Sequence, residues 1–280
     1  MSSSPMTEAE VAAFQKDGVL CLRGAFADWV ESLAAGVAEN EAHPSRFAGD
    51  SVTGSDSGRF FDDYCNWQRI PQYRDFVLHS PAAEIAARAT RSSSIRIFHE
   101  HVLIKEPGTT KKTPWHHDLP YYNVQGMQTV SLWLALDPVG RETCPEFVAG
   151  SHLWERFYYP RRFLDSTNYD YRSGGYETVP DIEADRSRYD IRTYDLAPGD
   201  AILFNFLTLH GAPANLGRHR RRGFSTRWLG DDVTYATRPG PTSPPFGDIG
   251  LETGDPMPDD LFPIMWRSPA VREVGRVGSS

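Results

Sequence analysis

Cysteine is scarce: Cys21, Cys65 and Cys144 are an odd number at scattered positions in 280 residues, with no CxxC pair. That excludes a disulfide scaffold and a thiolate zinc site, and leads us to expect reduced thiols in a cytoplasmic protein. No apolar run reaches the roughly 18 residues that span a bilayer, and the opening MSSSPMTEAE lacks a basic stretch followed by an apolar one. Neither a membrane span nor a secretory leader is therefore expected. Positive charge is also short, with 29 Lys and Arg against 37 Asp and Glu and a formal net charge of −8. The balance argues against nucleic acid or an anionic membrane as the main partner. Internal repeats and low-complexity tracts are absent, and nothing in the sequence indicates an oligomeric state.

Apolar side chains are plentiful: hydrophobic residues make up 40% and aromatics 12%, enough for a sizeable core. Since β barrels and sandwiches reach this length as one unit, residues 1–280 are read as a single domain. Thr7-Glu8-Ala9-Glu10 has the form of a capping box, Val30, Leu33, Ala34 and Val37 repeat at helical spacing, and Ala83 to Ala87 are good helix formers. Residues 1–92 are accordingly expected to be largely helical. From about Ser94 the pattern changes to IRIFHEHVLIKEP, TVSLWLALD, DAILFNFLTLH and RGFSTRWLG, short runs bounded by Gly, Pro, Asp or Asn. With no helices between them, residues 93–232 predict a mainly antiparallel sheet closed as a barrel or jelly roll. The polar stretch 154–190 is too long for a hairpin loop and reads as a lid, a substrate wall or a solvated insertion. Residues 233–280, rich in proline, read as an ordered arm anchored by Phe246, Leu251, Phe262 and Trp266.

The chemistry is concentrated in Pro114-Trp115-His116-His117-Asp118. In a strand, residues two apart share a face, so His116 and Asp118 would offer an imidazole and a carboxylate to one point, with His117 on the opposite face. A third ligand would come from His210, read as ending the DAILFNFLTLH strand; two His and one carboxylate on one face of an octahedron suit ferrous iron. His99 and His101 also alternate on a strand, without a carboxylate partner. After His210 a Gly-Ala-Pro turn and Arg218, Arg220, Arg221 and Arg222 suggest a hairpin returning an arginine beside the metal. A buried guanidinium there requires an anion, and a dicarboxylate cosubstrate supplies one. Strand parity alone leaves Arg221 and Arg222 both open.

These motifs resemble the phytanoyl-CoA dioxygenase family over roughly Phe98 to Asp232, in the HxD triplet, the distal His, the Arg eleven positions later, and Gly150-Ser151-His152. The resemblance implies a mainly β fold with flanking helices around a double-stranded β-helix, the cupin-like jelly roll. It also implies Fe(II) on His116, Asp118 and His210, with 2-oxoglutarate and O2 as cosubstrates. Arg221 would take the 2-oxoglutarate carboxylate, with Trp133 nearby. Ala212 stands where members often carry a small hydroxyl residue, so Thr129, Ser131 and Ser225 become candidates for that contact. The intact carboxylate of Asp118 points to hydroxylation rather than halogenation. The implied reaction hydroxylates or otherwise oxidises an unactivated C–H bond of a small-molecule metabolite, releasing succinate and CO2. Tyr121, Tyr122, Asn123, Lys105, Tyr158 and Arg161 are candidate pocket residues. Two other readings remain open: a cupin-like metal-dependent isomerase or hydrolase, and a non-catalytic barrel that binds a small acid.

Overall fold

Strands whose two faces are both apolar need cover on both sides, and the longest strands here have it. The computed structural model describes residues 5–52, 58–162, 167–171, 174–246 and 249–269. Its strands are β1 (Val19–Leu22), β2 (Gly49–Val52), β3 (Arg59–Tyr64), β4 (Ser94–Lys105), β5 (Thr113–His116), β6 (Val124–Gln125) and β7 (Thr129–Ala135). They continue with β8 (Glu146–Val148), β9 (Ile191–Arg192), β10 (Ala201–Phe204), β11 (His210–Ala212), β12 (Arg221–Leu229), β13 (Thr234–Tyr235) and β14 (Ile264–Arg267). The helices are α1 (Glu8–Asp17), α2 (Val30–Ala42), α3 (Pro71–His79) and α4 (Ala82–Thr90).

A large antiparallel sheet runs β1-β10-β7-β12-β4-β3-β2, with β14 also paired to β4, and a smaller one runs β5-β11-β8-β9. This is the mainly β jelly roll that the strand pattern predicts. The helices cover the outer face of the large sheet, where Phe14, Leu33, Val37, Tyr73, Phe76 and Ile85 join Ile97, Val102, Ile104, Leu132, Phe224 and Trp228 in one core. Each large side chain buried there contributes about 1.5–3 kcal/mol. No helix among the described residues is long and apolar enough to cross a membrane.

The wide apolar face of β4 depends on a bulge. Opposite β12, Arg227 pairs with His99 but Trp228 pairs with Ile97, so Phe98 has no partner. The extra residue flips the parity. Ile95 and Ile97 then share the helix-facing core with Val102 and Ile104, while His99, His101, Leu103 and Lys105 turn to the interior between the sheets.

Two expectations need correction. The first 92 residues supply the four helices, with the Thr7–Glu10 capping box formed, but also β1, β2 and β3 of the large sheet. VLCL and RFFDDY are short strands whose partners lie far along the chain, so helical spacing nearby masks them. The prolines of the C-terminal arm predict no regular sheet; it packs Phe246, Leu251, Met257 and Phe262 against Phe98 and Tyr122, but between Pro263 and Pro269 it also forms β14, paired to β4.

Candidate metal centre

His116 and Asp118 meet, though not by sharing a strand face. β5 ends at His116, and Asp118 sits beyond it in helical conformation (φ −73°, ψ −37°), heading a single 3-10 turn. The Leu119 amide closes this turn onto the Phe206 carbonyl at 3.0 Å. His210 likewise does not end the long apolar run. β10 stops at Phe204, Asn205 turns the chain by accepting the Leu207 amide on its side-chain oxygen at 2.9 Å, and His210 opens β11. There it is the direct partner of His116, with ring centroids 4.2 Å apart.

Backbone carbonyls set both imidazoles. The Nδ1 of His116 donates to Pro114 O at 2.8 Å and that of His210 to Thr208 O at 2.9 Å. A carbonyl only accepts, so both Nδ1 atoms carry the proton and both Nε2 atoms are the unprotonated nitrogens that would face a metal. Asp118 Oδ1 lies 3.5 Å from His116 Nε2 and 3.6 Å from His210 Nε2, and one ligand atom from each residue falls within 4.8 Å of the others. The second oxygen, Oδ2, accepts from Ser131 Oγ at 2.9 Å and is 3.9 Å from Arg227. Burial opposes ionisation of Asp118, but His210, His116 and Arg227 hold its carboxyl well below the usual range. Burial and the neighbouring His116 push His210 down to about 3, so it is a neutral imidazole. His117 points away, with its Nε2 accepting the Tyr158 amide at 2.9 Å.

The triad opens onto a cavity of about 340 Å³ between the two sheets. At one end Arg221 is buried, and its guanidinium donates to the Thr143 carbonyl. Desolvation lowers it to about 10, and no carboxylate pairs with it among the described residues. Trp133, which lines the cavity, lies across Gly223, where a Cβ would meet the indole at 2.3 Å, so a side chain at 223 would displace the ring. Among the described residues, three buried polar atoms of the cavity lining have no hydrogen-bond partner: Ser225 Oγ, Arg227 Nη1 and His99 Nε2. A mixed N/O triad beside an unpaired buried cation has the donor set for iron and a 2-oxo dicarboxylate.

A family model for phytanoyl-CoA dioxygenase matches residues 14–223. The chain belongs to that family. A probable phytanoyl-CoA dioxygenase from Caenorhabditis elegans is 25% identical over 180 residues, which cover 61% of this chain and 51% of that protein. The chain thus spans about half the length of the curated relative that it matches. Among solved structures, the non-haem α-ketoglutarate-dependent carbocyclase SnoK from nogalamycin biosynthesis has a TM-score of 0.71 at 24% identity, covering 92% of this chain and 96% of SnoK. The epimerase SnoN, solved with Fe3+, α-ketoglutarate (2-oxoglutarate) and nogalamycin RO, has a TM-score of 0.72 at 24% identity, covering 92% and 98%. SnoK and SnoN are both named as α-ketoglutarate-dependent, and the donor set of the triad suits the same metal chemistry.

Several other residues singled out from the dioxygenase motifs also reach the cavity. Tyr121, Tyr122, Arg161, Trp133 and Ser225 line it, with the Tyr121 hydroxyl donating to the Arg161 carbonyl at 2.7 Å. Arg161 and Tyr169 bring the 154–190 stretch to its wall. Arg222, the parity alternative, pairs with Asp137 at 2.7 Å, outside the cavity. Thr129 is not a cosubstrate contact: it sits at the far end of β7, where its hydroxyl accepts the Phe206 amide at 3.3 Å. Asn123 lies outside the cavity lining and ties its loop to the C-terminal arm through the Ala236 carbonyl, at 3.4 Å. Tyr158 is buried with Trp115 and Leu209, behind His117. Lys105 does not line the open space but lies at its Arg221 end. His152 serves the fold, with its Nε2 against Gln15 O at 3.2 Å and its ring beneath Gly18.

The structure adds Phe47, Asp62, Tyr64, His99, His101 and Arg227 to the wall. Arg227 carried a signal, since it lies an even number of residues from Arg221 on one strand. His99 and His101 alternate visibly, but their direction depends on the bulge at Phe98. Phe47 lies in a turn that nothing in the sequence marks.

Proposed function

We propose that the chain is an Fe(II)- and 2-oxoglutarate-dependent dioxygenase acting on a small-molecule metabolite at an unactivated C–H bond, which it hydroxylates. In this reading His116, Asp118 and His210 hold the iron and Arg221 takes the far carboxylate of 2-oxoglutarate. The observation that carries it is the pairing of two pre-set Nε2 lone pairs and Asp118 Oδ1 with a buried, unpaired guanidinium in the same cavity. Bound there, the iron and its cosubstrate supply O2 activation at the cost of 2-oxoglutarate, which leaves as succinate and CO2.

The chain's own residues do the rest. Asp118 would supply a carboxylate ligand to the iron, which favours transfer of oxygen over transfer of halide. Phe47 and Tyr64, stacked at 5.0 Å, and Tyr121 with Tyr169 at 5.8 Å make an aromatic mouth that excludes water from one face of a ring-sized substrate. Asp62, hydrogen-bonded to His101 at 3.1 Å, and the unpaired Arg227 Nη1 and His99 Nε2 offer polar anchors that fix which carbon faces the metal. Since SnoK and SnoN are named as a carbocyclase and an epimerase, products other than alcohols belong in the search. A metal-dependent isomerase or hydrolase would leave Arg221 without an anion, and a non-catalytic barrel would leave the set triad idle.

The test is anaerobic titration. Adding Fe(II) and then 2-oxoglutarate should develop a weak visible charge-transfer band, and Arg221→Ala should weaken 2-oxoglutarate binding at least roughly tenfold. With O2 and a panel of ring-bearing metabolites, succinate should appear in step with an oxidised product. A wild-type protein that shows no band at saturating concentrations would overturn the reading.

A further inference from the structure

Apart from Asp118, the carboxylate that lines the cavity among the described residues is Asp62 on β3. His101 on β4 lines it too, and its Nε2 donates to Asp62 Oδ2 at 3.1 Å. With the proton on Nε2, the neutral imidazole offers Nδ1 only as an acceptor, and a carboxylate only accepts. Asp62 Oδ1 and His101 Nδ1 take no other hydrogen bond among the described residues, and the two side chains stay 23% and 14% exposed. Gly49, opposite Asp62 in the β2–β3 register, leaves Oδ1 its room: a Cβ there would stand 2.5 Å from it. Tyr64 meets His101 edge to face at 5.4 Å and stacks on Phe47 at 5.0 Å, so aromatic rings flank a pair of atoms that can only accept.

Charge selects among the groups that could donate to this pair. Arg161, Arg221 and Arg227 line the same cavity against Asp62 and Asp118, and Arg46 lies 4.7 Å over the Phe47 ring. An ammonium would add a cation to that excess. A carboxylate brings no proton for either acceptor and would face Asp62 as a like charge. A neutral hydroxyl meets both conditions.

Resting on the cosubstrate reading above, we propose that Asp62 and His101 form a substrate subsite that accepts hydrogen bonds from hydroxyl groups, so that the substrate is a hydroxylated ring, an alcohol or polyol. Tyr64 and Phe47 cover the apolar face of that ring, and the hydroxyls fix which of its edges turns to the metal.

Ligand binding by the anaerobic protein loaded with Fe(II) and 2-oxoglutarate reads this without turnover. The probes share one ring: para-fluorobenzyl alcohol, its methyl ether, para-fluorobenzylamine and para-fluorobenzoate, with fluorine NMR line broadening giving each dissociation constant. The alcohol should bind at least roughly tenfold tighter than each of the others. Asp62→Asn and His101→Phe should each cut the preference for alcohol over ether roughly fivefold or more, with the ether's own affinity held; a variant that merely distorts the wall would weaken both probes alike. The amine binding tightest would make the pair an ammonium site, and the benzoate binding tightest would hand recognition to the guanidinium groups. Affinities all within about twofold, or an alcohol that does not bind at millimolar concentration, would make the pair structural. Each of these outcomes overturns the subsite while the charge-transfer band upholds the cosubstrate reading. A wild type without that band overturns both.

Discussion

At the residue scale, Asp118 divides its two oxygens. Oδ1 faces the two Nε2 atoms, while Oδ2 is held by Ser131 Oγ at 2.9 Å and lies near Arg227. Holding Oδ2 would leave Oδ1 as the one carboxylate oxygen offered to iron. Ser131→Ala should therefore weaken Fe(II) binding roughly ten- to a hundredfold, read by competition with a chelator. The matched control is Thr129→Ala, two residues earlier on the same strand, whose hydroxyl serves only the Phe206 amide. Equal iron affinity in the two variants would count against the role given to Ser131. The principal site residues were legible at this scale because their types are chemically restrictive: an HxD triplet, a His before a Gly-Ala-Pro turn, and an Arg eleven positions on. The hydroxyl residues were not, since a buried serine reads the same whether it meets a ligand or an amide.

At the scale of elements, the connection from β11 to β12 joins the sheet that bears the triad to the sheet that bears Arg221. The sequence reading made it a hairpin, but β11 belongs to the small sheet and β12 to the large one, so the chain crosses between sheets. Asn215 holds the crossing: its Nδ2 donates to Lys105 O at 2.8 Å and to His219 O at 2.9 Å, and its backbone exchanges bonds with Gly108 and Thr109. A turn sequence shows that the chain reverses but not into which sheet, because the partners of β12, β4 and β7, are remote in sequence. Asn215→Ala should cost about 1–3 kcal/mol for the unsatisfied buried carbonyls, measured by denaturant unfolding. It should also loosen 2-oxoglutarate binding, since Arg221 and Lys105 are both set by this crossing. A variant that loses stability yet binds 2-oxoglutarate as wild type does would separate the crossing from cosubstrate binding. The bulge at Phe98 and the turn at Asn205 escaped the sequence reading for a similar reason: both interrupt runs that remain apolar.

At the scale of the molecule, a chain of net charge −8 keeps cations at its centre, and that arrangement shapes its response to pH. Lys105 is the sharpest case. Its folded value, about 6, lies below its ordinary value of 10.5, so between those two pH values the unfolded chain holds a proton that the folded, ligand-free protein does not. Stability from this group therefore rises as pH climbs through the window, by at most about 1.4 kcal/mol per pH unit. It is lost as pH falls toward 6, and below that the contribution is flat. Other groups titrate over the same range, so the informative quantity is the difference between wild type and Lys105→Met. Urea unfolding of metal-free protein at pH 6.5, 7.5 and 8.5 should show the variant's advantage largest at the lowest pH and shrinking as pH rises. A difference that stays constant across the three pH values would mean that Lys105 is charged in the ligand-free fold despite its burial.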